Sequence, residues 1–346
     1  MESETDLQKA EKLFFLKPPK CFALEEIDEA LISDEEIRSV FAVFKSTLIE
    51  VTRVIQVFYN MAMSATIDDE LNRLFISTLL KTKAEFLRAK AADLDGVEIP
   101  DDEELRAEAG RRTVEEWQST ERGDELLQKA SARLVSQWKS TPELIADTNS
   151  AALRQSSVML WSACENLLRE FFRILLNREP ALATSLFKND ETKRLWNPRD
   201  FSLDLIEAVN FNVQHSMGNI LLDINPMISL KAFKAGFSVL ANGDEVLSKT
   251  LKSTEIHNLF ALRNLIAHRN GFIDQQFLSE SSFIGTAGEK IKLEPIHFEQ
   301  AYMAAKSIGV AVHQHALRRQ EPLTVKLPPA KPEAYWVSAS KAPIKS

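Results

Sequence analysis

STEIHNLFALRNLIAHRNGF, residues 253–272, decides how this chain is read. Ser253 or Thr254 can cap a helix start, and Gly271 can end it in a left-handed conformation. No proline falls between them. On an ideal wheel of about 100° per residue, Ile256, Leu259, Phe260, Ile266 and Ala267 share one apolar arc. Leu262 and Leu265 continue it. A helix apolar round most of its girth belongs inside a bundle. Arg263 breaks the pattern near the middle of the arc, and His257, Asn264 and His268 make a narrow polar stripe. Asn264 and His268 are four residues apart and can touch. A guanidinium aimed at a core must snorkel out, pair with a carboxylate, or open onto a cavity or a second subunit.

Composition fits a helical protein. The chain has 346 residues, 45% of them hydrophobic, with only 10 glycines and 3 tyrosines. That length suggests two domains, or one with extensions. The net charge of −8 is uneven. Residues 1–140 hold 29 acidic against 19 basic side chains, a balance of −10, and residues 141–346 hold 21 against 23, a balance of +2. The first part is therefore a poor partner for a phosphate backbone, and any nucleic-acid contact has to be a local patch on the second. All six histidines lie beyond residue 200.

Further out, helix signals dominate. Ser33 with Glu36 reads as a capping box. Behind it Ile37, Phe41, Phe44, Leu48, Val51, Ile55 and Phe58 recur at steps of four and three. Thr66 with Asp69 reads as a second start, running to about Leu94 and antiparallel to the first helix. Leu71, Phe75, Leu79 and Phe86 are expected to face inward. Charged helix follows to about Ser140, interrupted near Gly110 and Gly123. Thr141-Pro142-Glu143 is a cap, an N1 proline and an acidic first turn, and opens a helix to about Asn177 whose inner arc is Leu160, Trp161, Cys164, Leu167, Leu168, Phe171 and Leu175. Glu165 edges that arc, with Arg169 four residues on. Pro180, Pro198 and Pro226 divide residues 178–250 into short helices near 181–187, 202–222 and 229–241. Arg194, Trp196 and Arg199 cluster there, and Lys231 and Lys234 share one helix. An aromatic between arginines can stack a base, though a packed tryptophan is the commoner outcome. Phe272-Ile273 and Ile291-Lys292-Leu293 read as extended, and a last helix spans about His297 to Gln320.

These signals give an all-α chain. An acidic N-terminal helical domain occupies residues 1–140, a helical bundle with inserted short helices 141–320, and a disordered Pro- and Lys-rich tail 321–346.

Arg263-Asn264-x-x-x-His268 matches the RNxxxH form of the Rx4–6H motif. At average residue usage a chain of this length holds such a match by accident about once in a hundred. With its flank LFALRNLIAHRNGFID and the earlier helix LWSACENLLREFFRILL, residues 141–320 resemble the HEPN superfamily of helical-bundle domains. Many members are metal-independent endoribonucleases that use this motif, some in bacterial defence or toxin systems. The resemblance implies an obligate homodimer with a composite site, RNA as substrate, and no cofactor or metal. It implies catalytic roles for Arg263, Asn264 and His268. HEPN domains often carry an acidic residue on the earlier helix, which implicates Glu165 in orienting Arg263 or His268. Relatives silenced by nucleotide transfer have a tyrosine two residues after the histidine, where this chain has Asn270.

Residue chemistry agrees. RNA supplies its own nucleophile, the 2′-hydroxyl. Histidine moves protons near neutral pH, arginine holds and neutralises a phosphate, and Asn264 can fix the imidazole or bond the phosphate. Arg263 and His268 lie about 140° apart on an ideal helix, so a second subunit is the simplest way to complete one site. The competing expectation is a non-catalytic scaffold of the same fold that binds RNA or a protein. Residues 1–140 offer a surface for a regulatory protein.

Other chemistries lack their motifs. The chain has no GxxxxGK[ST] loop, Gly-rich nucleotide fingerprint, GxSxG elbow or HExxH. Each would supply a geometry that nothing else here supplies. Cys21 and Cys164 fit no metal spacing. His313 and His315, two residues apart, face different ways. The acidic start is unlike a signal peptide. No apolar run nears the roughly 18 residues of a membrane span, so a cytoplasmic protein is expected.

Overall fold

The computed structural model describes residues 19–92, 100–138, 142–241 and 243–320. The expected disordered tail and the early residues Phe14, Phe15 and Leu16 lie outside them. The fold is all-α: among the described residues there is no strand, and one isolated bridge joins Phe272 to Lys290.

The first long helix, α1 (Glu35–Ala91), is a single element of 57 residues. This corrects the antiparallel pair expected from the cap signal at Thr66 and Asp69. No glycine or proline falls within it. Each added residue gains a hydrogen bond, whereas a break needs two new caps. The start is also one residue later than expected. Asp34 is the N-cap, accepting the Ile37 N–H at 3.0 Å.

Two further helices, α2 (Asp102–Gln118) and α3 (Thr120–Trp138), pack against α1 and each other. The break lies at Ser119, beside Gly123, and α2 passes through Gly110 unbroken. Helix α4 (Pro142–Arg178) is the central element, as its wide apolar girth requires. It touches α1 and α7 (Val213–Ile224), α10 (Thr254–Arg269) and the last helix, α12 (Pro295–Gln320). Every member of its expected inner arc is buried.

Ile37, Phe41, Phe44, Leu48, Val51 and Ile55 join the same hydrophobic core as α4, α10 and α12. Leu74, Leu105, Ala109, Leu126, Ala130 and Leu134 are buried outside that core. The two sets of buried residues part along α1, between Ile55 and Leu74. Leu71, Phe75, Leu79 and Phe86 are only half-buried, and Leu74 sits deeper.

Residues 178–253 form α5 (Leu182–Lys188), α6 (Leu203–Ala208), α7, α8 (Leu230–Leu240) and α9 (Glu245–Lys252). The helix expected over 202–222 is split, because Asn210 and Phe211 take φ of 52° and 60°. Trp196 is a core residue and not a base platform. It is fully buried, lies nearly parallel to Phe172, and donates its indole N–H to the Leu221 carbonyl at 3.0 Å. Helix α7 lies close against α4 because Gly218 has no side chain: a Cβ there would sit 2.2 Å from the Arg173 carbonyl oxygen. The expected extended pair at 272–273 and 291–293 reduces to the lone bridge, with the short α11 (Gln275–Glu280) between.

Candidate functional site

The motif helix α10 is held at both ends. Ser253 Oγ accepts the Ile256 N–H at its start. At its end Asn270 is left-handed with φ 52°, Gly271 follows with φ 81°, and the Gly271 N–H returns to the Leu265 carbonyl at 3.1 Å. A residue missed in the sequence supports this turn. Arg154, on α4, is buried and donates to Ser150 Oγ at 2.9 Å and the Ile291 carbonyl at 3.0 Å. Its side chain lies beneath Gly271, and the Ile291 N–H donates to the Gly271 carbonyl at 2.8 Å. Burial holds the Arg154 pKa below its ordinary value. Nothing in the helical pattern around Arg154 distinguishes it from a surface arginine; its role depends on a loop far along the chain.

Ile256, Leu259, Leu262, Leu265 and Ile266 are buried as expected, but Ala267 is exposed. Arg263 is not in the middle of the core face. It is half-buried at the edge, with side-chain exposure of 24%. Its guanidinium donates to Asn264 Oδ1 at 3.0 Å and lies 3.8 Å from Glu165. Glu165 is itself only 15% exposed and also faces Arg169 at 3.9 Å. Glu165, Arg263 and Asn264 are thus brought together, with one carboxylate between two guanidiniums. At this separation the attraction is gross Coulomb energy of about 4 kcal/mol at an effective dielectric near 20. Desolvation offsets most of it.

His268 is one turn beyond Asn264, exposed, and has no hydrogen-bond partner among the described residues. The Asn264 carbonyl oxygen accepts from Arg263, and no hydrogen bond joins Asn264 to His268 among the described residues. Arg269 beside it is 66% exposed and 3.4 Å from Asp274. One chain therefore offers a braced arginine and an unbraced histidine on the last two turns of one helix.

His313 and His315 are structural. Nε2 of His313 bonds the Asp28 carbonyl at 2.8 Å, and His315 Nδ1 lies 2.7 Å from Asp244 Oδ2. They point to different elements, as their spacing predicts. Among the described residues, no three His, Cys, Asp or Glu side chains are grouped to hold a metal ion, and no helix is long and apolar enough to cross a membrane. Comparison with protein-family models, with curated proteins and with solved structures gave no match.

Proposed function

We propose that the protein is a metal-independent endoribonuclease acting through Arg263 and His268 in a site completed by a second copy of the chain. The observation that carries this reading is the state of Arg263. It is half-buried, braced by Glu165 and Asn264, and close to an exposed histidine on the same helix. A fixed guanidinium can hold a phosphate and neutralise charge that develops in the transition state. The His268 imidazole can take the 2′-hydroxyl proton or return one to the leaving 5′-oxygen. Two histidines, one from each protomer, would divide these tasks and leave a 2′,3′-cyclic phosphate and a 5′-hydroxyl. A bacterial defence or toxin role follows from the family resemblance alone.

The test is cleavage of total RNA in the presence of EDTA. Wild type is expected to cleave, and His268→Ala to be slower by about 10²–10⁴-fold, with its dimer intact by gel filtration. Strong inhibition by EDTA would reject the metal-free mechanism, and equal rates would reject the site. A second reading is a non-catalytic scaffold that binds RNA or a protein. The missing partner for His268 within one protomer favours it, and cleavage by neither protein would select it.

A further inference from the structure

An open cleft of about 1040 Å³ lies beside the motif helix. That is large for a small-molecule site. It is built by three parts of the insert together with α10 and α11. Lys231 and Lys234 come from α8, Lys252 from the end of α9, and Arg194 from the segment held by Trp196. His257 and Phe260 come from α10. Lys234 Nζ is in hydrogen-bonding contact with His257 Nε2. Burial and then the neighbouring Lys252 hold the Lys234 pKa below its ordinary value, and burial and then Lys234 do the same to His257.

Carboxylates also border the cleft: Asp190, Glu191 and Glu280, of which Asp190 acts on Arg194 through space. Asp190 pairs with Lys193, and Glu280 accepts from Gln276. Glu191 makes no ion pair among the described residues. Glu280 acts on His257 only through space. None of Arg194, Lys231, Lys234 and Lys252 has a carboxylate within ion-pair distance among the described residues. Most other described ion pairs in this protein are made by surface lysines and arginines beside acids. Lys231, Lys234 and Lys252 thus line the cleft without an ion pair among the described residues, and Lys252 acts unfavourably on Lys234, an arrangement that an anionic ligand relieves.

The register of α10 links this cleft to the motif. His257, Ala261, Asn264 and His268 fall at steps of four, three and four, which is one helix face. Ala261 lines the cleft, and His268 lies about 10 Å further along the axis. Phe260 is half-buried, with its ring centroid 4.9 Å from that of Trp161. It supplies an aromatic surface beside the lysines, the combination that single-stranded nucleic acid uses.

We propose that this cleft binds the phosphodiester backbone of single-stranded RNA beside the Arg263–His268 site, with Lys231, Lys234 and Lys252 on successive phosphates. The inference rests on the ribonuclease reading for its choice of ligand, and it is tested by binding, independently of cleavage. The binding protein is His268→Ala, which keeps the RNA intact. The probe is a fluorescein-labelled single-stranded RNA followed by anisotropy over a range of salt. Adding Lys231→Ala, Lys234→Ala and Lys252→Ala together is expected to weaken binding by about tenfold or more at low salt. The slope of log affinity against log salt should become shallower by about 2, for three phosphate contacts. A charge-matched control replaces Lys45, Lys129 and Lys249, each paired with a glutamate elsewhere. It should bind within about twofold of its parent. Equal losses in cleft and control variants would overturn the proposal. So would absence of RNA binding by the parent, or binding of ATP alone that the cleft variant abolishes. Lysine-dependent RNA binding without wild-type cleavage would reject the nuclease and leave the cleft standing.

Discussion

Replacing Gly218 with alanine tests how the insert is anchored. The new Cβ would lie 2.2 Å from the Arg173 carbonyl oxygen and 2.7 Å from its Cα. These are backbone atoms inside α4, so α7 must retreat by more than 1 Å to reach ordinary contact. Retreat stretches the bond from the Gly218 N–H to Asn177 Oδ1, now 2.7 Å. Overpacking of this kind costs about 1–3 kcal/mol. The strained hydrogen bond adds about 1 kcal/mol. Alanine's better helix propensity returns about 0.5–1 kcal/mol. The net loss is about 1–3.5 kcal/mol. Gly110→Ala is the internal reference, since nothing lies within 4 Å of a Cβ there and α2 is regular around it. It should gain about 0.5–1 kcal/mol. Urea unfolding followed by circular dichroism reads both, with the midpoint falling for one variant and rising for the other. The displaced α7 also carries the Leu221 carbonyl that holds Trp196, so Gly218→Ala should blue-shift or redden tryptophan fluorescence while Gly110→Ala leaves it unchanged. A Gly218→Ala midpoint within experimental error of wild type would refute the close-packing argument.

Glu165→Gln should lower stability by about 1 kcal/mol or less, because the pair is partly exposed. It should slow RNA cleavage by about 10²-fold by loosening Arg263. In an Arg263→Ala background the same change should have no further effect on cleavage, and additive losses would show that Glu165 does not act through Arg263. Stability should also fall with acid through the α9–α12 contact. Burial holds the His315 pKa below its ordinary value despite Asp244, and its Nε2 is buried without a partner among the described residues. In the unfolded chain this histidine binds a proton near pH 6.5 and in the fold it binds one less readily, so its contribution is present above that pH and is lost as pH falls below it. Burial raises the Asp244 pKa, but Arg318 and His315 outweigh it and hold the carboxylate low. That contribution is lost at lower pH, as the carboxylate itself protonates. Urea midpoints between pH 8 and pH 5 should fall for wild type and fall less for His315→Asn, and identical profiles would contradict the assignment.

Local signals carried much of the outcome. The cap at Ser253, the left-handed exit at Gly271, and the unbroken helix through Trp161 and Phe171 depend on neighbours in sequence, so periodicity and turn chemistry were enough. The motif residues were legible for the same reason, since four-residue spacing places Asn264 and His268 on one face whatever surrounds them. Tertiary packing decided the rest. A cap signature at Thr66 cannot reveal that α1 stays whole, because its competitor is the continuous helix and the partners that bury both halves. An arginine on an apolar arc reads the same whether it is braced or free, and only the approach of α4 put Glu165 beside Arg263. The same holds for Arg154 under Gly271, and for Lys234, Lys252 and His257, which come from three helices. Periodicity says which face of a helix is apolar, and many helices offer such a face. Which faces meet is settled by shape and by the pairing of buried charge, and those depend on residues far apart in the chain.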